Sequence, residues 1–139
     1  MLIETDILLA LISSGDRHHA DALKLVDNHL GEVKISPYTL IELDLLLKTG
    51  EIVVKDVSAF YSALSDLLKF RMIDTYPLKP EYHREAFKLR SKYGTLTYFD
   101  SLHAAVALVE GIEIVSYDRE YANLNEVKYV HPKNYAHTT

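Results

Sequence analysis

Five short apolar segments alternate with longer segments of helical periodicity along the whole chain. Each apolar segment is too short to form a helix on its own, and several contain the β-branched residues typical of strands. Strands that alternate with helices pair in parallel through crossover connections, so the sequence predicts a three-layer α/β/α sandwich with a short, mostly parallel sheet of about five strands. The predicted strands cover residues 1–4, 33–36, 72–75, 112–116 and 128–130.

The segments between the strands carry recognisable helix boundaries. Ser36 followed by Pro37 is typical of an N-cap and a first-turn proline, and Thr97 with Asp100 has the spacing of a capping box. Gly31 and Gly111 are predicted C-terminal stops. We therefore expect six helices, over residues 7–13, 16–30, 37–49, 55–70, 80–93 and 98–110.

The absence of cysteine from the 139-residue chain narrows the class of protein. It excludes a disulfide scaffold, a zinc ribbon and a thiol nucleophile, and it favours a cytoplasmic setting. No apolar stretch approaches the length of about 20 residues that spans a bilayer, so no membrane role is expected. Since no repeat or flexible linker interrupts the pattern, we predict a single domain over residues 1–139.

The overall charge disfavours contact with nucleic acid. Fifteen lysines and arginines stand against twenty aspartates and glutamates, which gives a formal net charge of −5. Any nucleic-acid role therefore needs either a segregated basic patch or a cation held between acidic side chains and phosphates.

Acidic residues occur at or near the predicted ends of several strands. Glu4 and Asp6 end the first strand, Glu42 lies on the helix after the second, Asp100 opens a helix, and Asp118 follows the fourth strand. Because ligands bind outside the carboxyl ends of parallel strands, these acids are expected to converge. Converging carboxylates repel one another, and an all-oxygen set favours Mg²⁺ or Mn²⁺ as the counterion.

A purely structural interpretation exists for each acid. Asp6 and Asp118 could be N-caps, and Asp100 could simply close the capping box. Glu42 is different because it lies in a helix of mostly apolar residues, where a carboxylate needs a partner, with a metal as one candidate.

Four sequence blocks, in order, resemble the PIN domain family, and in particular the VapC-like toxins of prokaryotic toxin–antitoxin pairs. They are residues 3–9, 36–42, 96–105 and 114–121, and the resemblance runs along the whole chain. It implies a single PIN-like domain with metal-dependent endoribonuclease activity. It further implies hydrolysis of an RNA phosphodiester by metal-activated water, an antitoxin partner and a homodimer.

The resemblance also implies roles for individual residues. Glu4, Asp100 and Asp118 would bind the ion, Glu42 would complete the cluster or orient the attacking water, and Ser116 would support Asp118 through a hydrogen bond. The chain departs from the family at its first acid, which is normally Asp. Glu4 aligns with that acid, and Asp6, in the usual Ser or Asn position, is the alternative ligand.

Basic and aromatic side chains provide candidate RNA contacts. Arg84, Lys88 and Lys92 share one helix face four residues apart, a stripe that phosphates could follow, although an ordinary solvated face has the same pattern. The further candidates are the basic side chains of Arg17, Lys48, Lys69, Arg71 and Arg90 and the aromatic rings of Tyr93, Tyr98 and Tyr117. His103 stands three residues after Asp100, so the two can share a helix face, where His103 could polarise a water or bind phosphate, although such a histidine is more often structural. His18 and His19 are expected in a solvated N-terminal turn rather than in a metal site.

Two other functions compete with the nuclease. A receiver-like phosphoacceptor domain would use Asp74 and a late lysine such as Lys133. A PIN-like binding module would keep the fold without catalysis, and its binding would survive both chelation of metal and the Asp100→Asn substitution.

Overall fold

The computed structural model describes residues 1–135, and at its centre lies a five-stranded sheet. Each predicted strand is present but shortened to two residues that pair with a neighbouring strand. The last four positions of the predicted domain lie outside the described residues. The strands are β1 (Leu2–Ile3), β2 (Lys34–Ile35), β3 (Asp74–Thr75), β4 (Ile114–Val115) and β5 (Tyr129–Val130).

The order of the strands is β3-β2-β1-β4-β5, and all four pairings are parallel. The chain builds outward from β1 to β3 and then returns to the other side of β1 to add β4 and β5. Strand order therefore reverses between β1 and β4, and the carboxyl ends of these two strands flank the crevice where α/β sheets bind ligands.

Six α-helices connect the strands, as expected, and two short 3₁₀ helices, Arg119–Asn123 and Pro132–Asn134, flank β5. Their boundaries follow the local capping chemistry. The helices are α1 (Thr5–Ile12), α2 (His19–Asp27), α3 (Pro37–Lys48), α4 (Val57–Phe70), α5 (Pro80–Lys92) and α6 (Tyr98–Glu110).

The predicted caps of α3 and α6 are confirmed. The Ser36 hydroxyl accepts the backbone N–H of Tyr38, and the Thr97 hydroxyl accepts that of Asp100. Gly111 ends α6 in the left-handed conformation with φ of +69°, which a glycine adopts without strain. The prediction for α2 was too long, because its regular hydrogen bonding starts at His19 and stops at Asp27, four residues before Gly31.

Alternating side chains of the sheet enter two separate cores, one on each face. Leu2 and Ile114 pack with α5 and α6, whereas Ile3 and Val115 pack with α1 to α4. Successive residues of a strand point to opposite faces, so a two-residue strand suffices to anchor both layers. The predicted α/β/α sandwich is confirmed.

The topology contradicts the receiver-like alternative. Asp74 lies on β3 at one edge of the sheet and forms an exposed ion pair of 2.8 Å with Lys34, whereas Lys133 follows β5 at the opposite edge. Four strand spacings of about 4.8 Å separate the two edges, so these groups cannot share a phosphoacceptor site. Within residues 1–135, no helix is long and apolar enough to cross a membrane.

Candidate active site

Buried polar side chains follow the three adjacent strands at the centre of the sheet. Glu4 comes after β1, Ser36 after β2 and Ser116 after β4. The serines are fully buried, and Glu4 is 7% exposed. Parallel strands bring these three residues to one edge, so the predicted convergence begins with the backbone itself.

Glu4 is the most strongly perturbed carboxyl group of this edge. Its Oε1 accepts the backbone N–H of Thr5 at 2.9 Å, and its Oε2 accepts the Ser116 hydroxyl at 3.2 Å. Burial raises the pKa of Glu4 well above its ordinary value, and the negative charges of Asp6, Glu42 and Asp100 raise it further. Its ionised form is therefore costly unless a cation offsets the neighbouring charges.

Asp6 lies beside Glu4, whose pKa its charge raises, and its carboxylate also reaches the end of β4. Its Oδ2 accepts the backbone N–H of Tyr117 at 2.8 Å and the Ser116 hydroxyl at 3.0 Å, while its Oδ1 accepts the N–H of Ile7 at 2.8 Å. Burial raises the pKa of Asp6, and these hydrogen bonds oppose that shift. Asp6 thus fastens the end of β1 to the end of β4.

The partner that Glu42 requires is supplied by the protein itself. Glu42 Oε1 accepts hydrogen bonds from the Thr5 hydroxyl at 2.5 Å and from His103 Nε2 at 2.9 Å. Burial raises the pKa of Glu42, but the hydrogen bonds from His103 and Thr5 outweigh it, so the pKa lies below the ordinary value. Glu42 is therefore ionised at neutral pH.

His103 is completely buried and has a partner on each ring nitrogen. Nδ1 lies 3.0 Å from the Ser36 hydroxyl, and Nε2 contacts Glu42. An ionised carboxylate can only accept, so we assign the proton to Nε2, with Nδ1 accepting from Ser36. Both nitrogens are then engaged, which makes His103 a positioning residue for Glu42 although it lies within 4.8 Å of a possible ligand atom of Glu4 and of Glu42.

Asp100 and Asp118 lie on the same side of the molecule and line one cavity of about 170 Å³. Asp100 Oδ1 accepts the Tyr121 hydroxyl at 3.2 Å, and Asp118 Oδ1 accepts the backbone N–H of Glu120 at 2.9 Å. Burial raises the pKa of Asp100, and the charge of Asp118 contributes in the same direction. Asp118 therefore caps the following 3₁₀ helix, whereas the Asp100 N–H is capped by Thr97, and both carboxylic acids line the cavity.

Ser116 connects the two halves of the site. Its hydroxyl proton is directed at Glu4 and Asp6, and its oxygen accepts the backbone N–H of Asp118 at 3.0 Å. The expected hydrogen bond to Asp118 therefore exists, but it involves the backbone rather than the carboxylate.

Thr5 and Tyr121 had no assigned role in the sequence pattern, and His103 was expected to be structural. His103 lies three residues after Asp100, which suggested a shared face, whereas its main partner is Glu42 on α3. Tyr121 is 1% exposed, and its hydroxyl reaches Asp100 from the 3₁₀ helix after Asp118. Neither contact leaves a local signal, because both depend on how separate elements pack.

A family model described as PIN domain matches residues 1–127. The chain belongs to the PIN domain family. PIN domains are generally nucleases and typically bind divalent metals, and the buried acidic cluster lies within the matched residues.

Solved structures share the fold of this PIN domain at low sequence identity. VapBC2 from Rickettsia felis, bound to a DNA fragment from its own promoter, has 18% identity and a TM-score of 0.72. The match covers 94% of this chain and 96% of that chain. VapC20 from Mycobacterium tuberculosis, a sarcin-ricin loop cleaving toxin, has 20% identity and a TM-score of 0.67, covering 91% and 98%. PAE2754 from Pyrobaculum aerophilum has 23% identity and a TM-score of 0.64, covering 96% and 89%.

The agreement with these structures extends over nearly the full length of each chain, so it confirms the predicted fold. No curated protein sequence matches this PIN domain.

The proposed basic stripe of this PIN domain is largely neutralised by neighbouring acids. Arg84 and Lys88 both contact Glu85, at 3.3 Å and 3.6 Å, and Lys92 contacts Glu126 at 3.1 Å. All three cations are exposed on α5. Exposed ion pairs are weak, so phosphates could still compete for these cations, but the stripe carries less free charge than its spacing suggests.

Proposed function

We propose that this PIN domain is a divalent-metal-dependent endoribonuclease and the toxin of a toxin–antitoxin pair. The observation that supports this most is the grouping of Glu4, Glu42, Asp100 and Asp118 around the end of β1. Glu4 and Asp100 have raised pKa values there. Such a group binds a phosphodiester well only when a cation lies between the carboxylates and the phosphate.

The available donors fit Mg²⁺ or Mn²⁺. Both nitrogens of His103 are engaged, so the donor set consists of carboxylate oxygens, which these hard cations prefer. Glu4, Asp100 and Asp118 would hold the ion. Glu4 is favoured over Asp6 because Glu4 faces Glu42 and Asp100, while both oxygens of Asp6 accept backbone N–H groups.

A bound divalent cation supplies Lewis-acid stabilisation of the phosphate and lowers the pKa of a coordinated water. The protein's own groups position the reactants. Glu42 is ionised, and its Oε2 makes no hydrogen bond among the residues described, so it is available to accept a proton from an attacking water. The second oxygen of Asp118 is likewise without a hydrogen bond within residues 1–135.

Buried hydrogen bonds hold these carboxylates in place. His103 and Thr5 fix one oxygen of Glu42, the Tyr121 hydroxyl fixes Asp100, and Ser116 fixes Glu4. Because each donor is buried or part-buried, these hydrogen bonds restrict the orientations of the carboxylates. The site is therefore preorganised, which limits the reorganisation needed when substrate binds.

The partners of the proposed toxin are an RNA substrate, a small antitoxin and a second copy of the chain, and its proposed location is the cytoplasm. Support comes from structures of the same fold that were determined as VapBC and FitAB complexes, several of them with DNA. Copurification with the product of an adjacent gene would test the antitoxin, and light scattering would test the dimer.

The cleavage test uses single-stranded and hairpin RNAs with Mg²⁺ or Mn²⁺. Wild-type protein is expected to produce discrete fragments, and Asp100→Asn or Asp118→Asn is expected to reduce cleavage to background. Asp66→Asn, the same change at an exposed position of α4, is the matched control and should leave cleavage unchanged. Circular dichroism would verify that all variants stay folded.

The outcomes separate the nuclease from the binding module. RNA that binds equally well with EDTA and to Asp100→Asn, but is never cleaved, would identify a binding module. Cleavage that persists in both Asp100→Asn and Asp118→Asn would show that these acids do not form the active site.

A further inference from the structure

A second cavity, of about 330 Å³, lies between α2 and the segment that follows β5. Its walls come from the start of α2, from the residue after Ser116 and from the second 3₁₀ helix. The residues that carry its chemistry are Arg17, His18, Lys24, Tyr117, His131 and Lys133.

The cavity is positively charged in a protein of net charge −5. Arg17, Lys24 and Lys133 line it together with one carboxylate, Asp21, so the permanent charges leave an excess of two positive charges. Lys24 and Lys133 are exposed and form no ion pair among residues 1–135. These amino groups are therefore available to an anion, unlike the lysines of the α5 stripe.

Aromatic rings form one wall of the same cavity. The Tyr117 ring stacks on the His18 ring with a centroid separation of 3.9 Å and meets the His131 ring edge to face at 5.5 Å. Burial, followed by the charges of Asp21, Asp6 and Asp16, raises the pKa of Tyr117 to about 12, so its hydroxyl is neutral. Flat rings beside cations are the combination that binds unpaired nucleotides.

A shallower depression joins this cavity to the acidic site. Two acids, Asp6 and Asp16, line the depression together with Leu9, Arg17, His18 and Tyr117, and the last three also line the cavity. The backbone N–H of Tyr117 donates to Asp6 Oδ2 at 2.8 Å, which fixes the aromatic wall against the end of β1. A strand that leaves the acidic site on this side reaches the cationic cavity over Arg17, His18 and Tyr117, the residues that the depression and the cavity share.

We propose that this cavity binds one nucleotide of the RNA strand next to the cleaved bond. Lys24, Lys133 and Arg17 contact its phosphate, and the Tyr117 and His18 wall contacts its base. The proposal rests on the proposed ribonuclease function. An acidic protein segment would use the cations but not the aromatic wall, so RNA fits the lining better.

The test measures binding of a fluorescently labelled single-stranded RNA to the full chain in EDTA, which removes cleavage from the readout. Lys24→Ala combined with Lys133→Ala is expected to weaken binding about tenfold and to reduce the salt dependence of log K by about 1.4, the value for two lost contacts to a single strand. Lys55→Ala combined with Lys128→Ala removes the same charge from exposed positions outside the cavity and should change neither quantity.

The base contact is tested separately with Tyr117→Leu, which removes the ring and keeps the backbone N–H that binds Asp6. Weaker RNA binding with an unchanged salt dependence is the expected result. Polyglutamate, measured in parallel, represents an acidic protein segment. The proposal is overturned if the two double variants lose binding equally, or if the Lys24 and Lys133 variant binds RNA as well as wild type does. It is also overturned if that variant loses binding to polyglutamate but not to RNA.

Failure of the nuclease proposal has a different signature. If wild-type protein cleaves no RNA but the binding losses appear as expected, the cavity binds RNA and the chain is a binding module. If the wild-type protein cleaves RNA and the Lys24 and Lys133 variant keeps the wild-type KM, the nuclease proposal is supported and the cavity proposal fails.

Discussion

At the scale of single residues, the site depends on hydrogen bonds that hold like charges close together. Glu42 illustrates this, because two donors fix one of its oxygens and keep the carboxylate ionised beside Glu4. Of these two donors, His103 links two separate elements. One ring nitrogen contacts Ser36 at the end of β2, and the other donates to Glu42 on α3. One histidine thus connects the sheet edge to the acidic cluster.

Truncation of His103 should therefore affect both stability and activity. His103→Ala removes a fully buried ring and one hydrogen-bond partner from each of Ser36 and Glu42, so we expect the free energy of unfolding to fall by about 2–4 kcal/mol. His103→Gln retains an amide donor and should lose less. Urea unfolding measures the first effect.

The effect on cleavage distinguishes positioning from stability alone. At a temperature where the variants are folded, kcat for His103→Ala should fall more than KM rises, with partial recovery in His103→Gln. Wild-type kcat in folded His103→Ala would show that the histidine does not position Glu42.

At the scale of elements, α6 combines tight packing with placement of the site. Residues 101–107 of this helix are all buried, which brings Asp100 at its first turn close to the sheet edge. The small side chains of Ala104, Ala105 and Ala107 permit this close approach.

Enlarging one of these alanines should be costly. Ala105→Leu forces a larger side chain into the core beneath α6, and we expect it to lower the free energy of unfolding by about 1–3 kcal/mol. Ala63→Leu makes the same change on the exposed face of α4 and should be nearly neutral. Denaturant unfolding of both variants provides the comparison, and equal effects would contradict close packing of α6.

The elements were largely predictable from the sequence, and the contacts between them were not. Strand periodicity, the Ser36 cap and the Gly111 stop are local properties, and all were found where expected. The early end of α2 and the path from Ser36 through His103 to Glu42 depend on packing between segments that are distant in sequence. Part of the neutralisation of the α5 stripe was a missed local signal, since Glu85 directly follows Arg84, whereas Glu126 reaches Lys92 from a distant segment.

At the scale of the whole molecule, the buried acids of the site destabilise the fold when they are ionised and no metal is bound. Glu4, Asp6 and Asp100 all have pKa values raised first by burial. A carboxyl group with a higher pKa in the folded state stabilises the fold below its unfolded pKa, and this contribution is lost as the pH rises through the folded pKa. Glu42 acts in the opposite direction, because its pKa is lowered.

The metal-free protein should accordingly lose stability as the pH rises from about 5 through neutrality. Urea unfolding in EDTA across this interval measures the change. Glu4→Gln should flatten the dependence, whereas Glu51→Gln, an exposed control, should not. Mg²⁺ or Mn²⁺ at neutral pH should restore stability to wild type more than to Glu4→Gln. Stability that increases with pH in the wild-type protein would contradict the raised pKa values.

The central claim is that acids from four distant parts of the chain form one divalent-cation site. Anomalous diffraction from crystals soaked with Mn²⁺ tests it most directly. We expect a peak bounded by Glu4, Asp100 and Asp118, at about 2.1 Å from carboxylate oxygens. The peak should be absent from Asp100→Asn crystals. No peak in the wild-type crystals, or one at a position remote from Glu4, would contradict the claim.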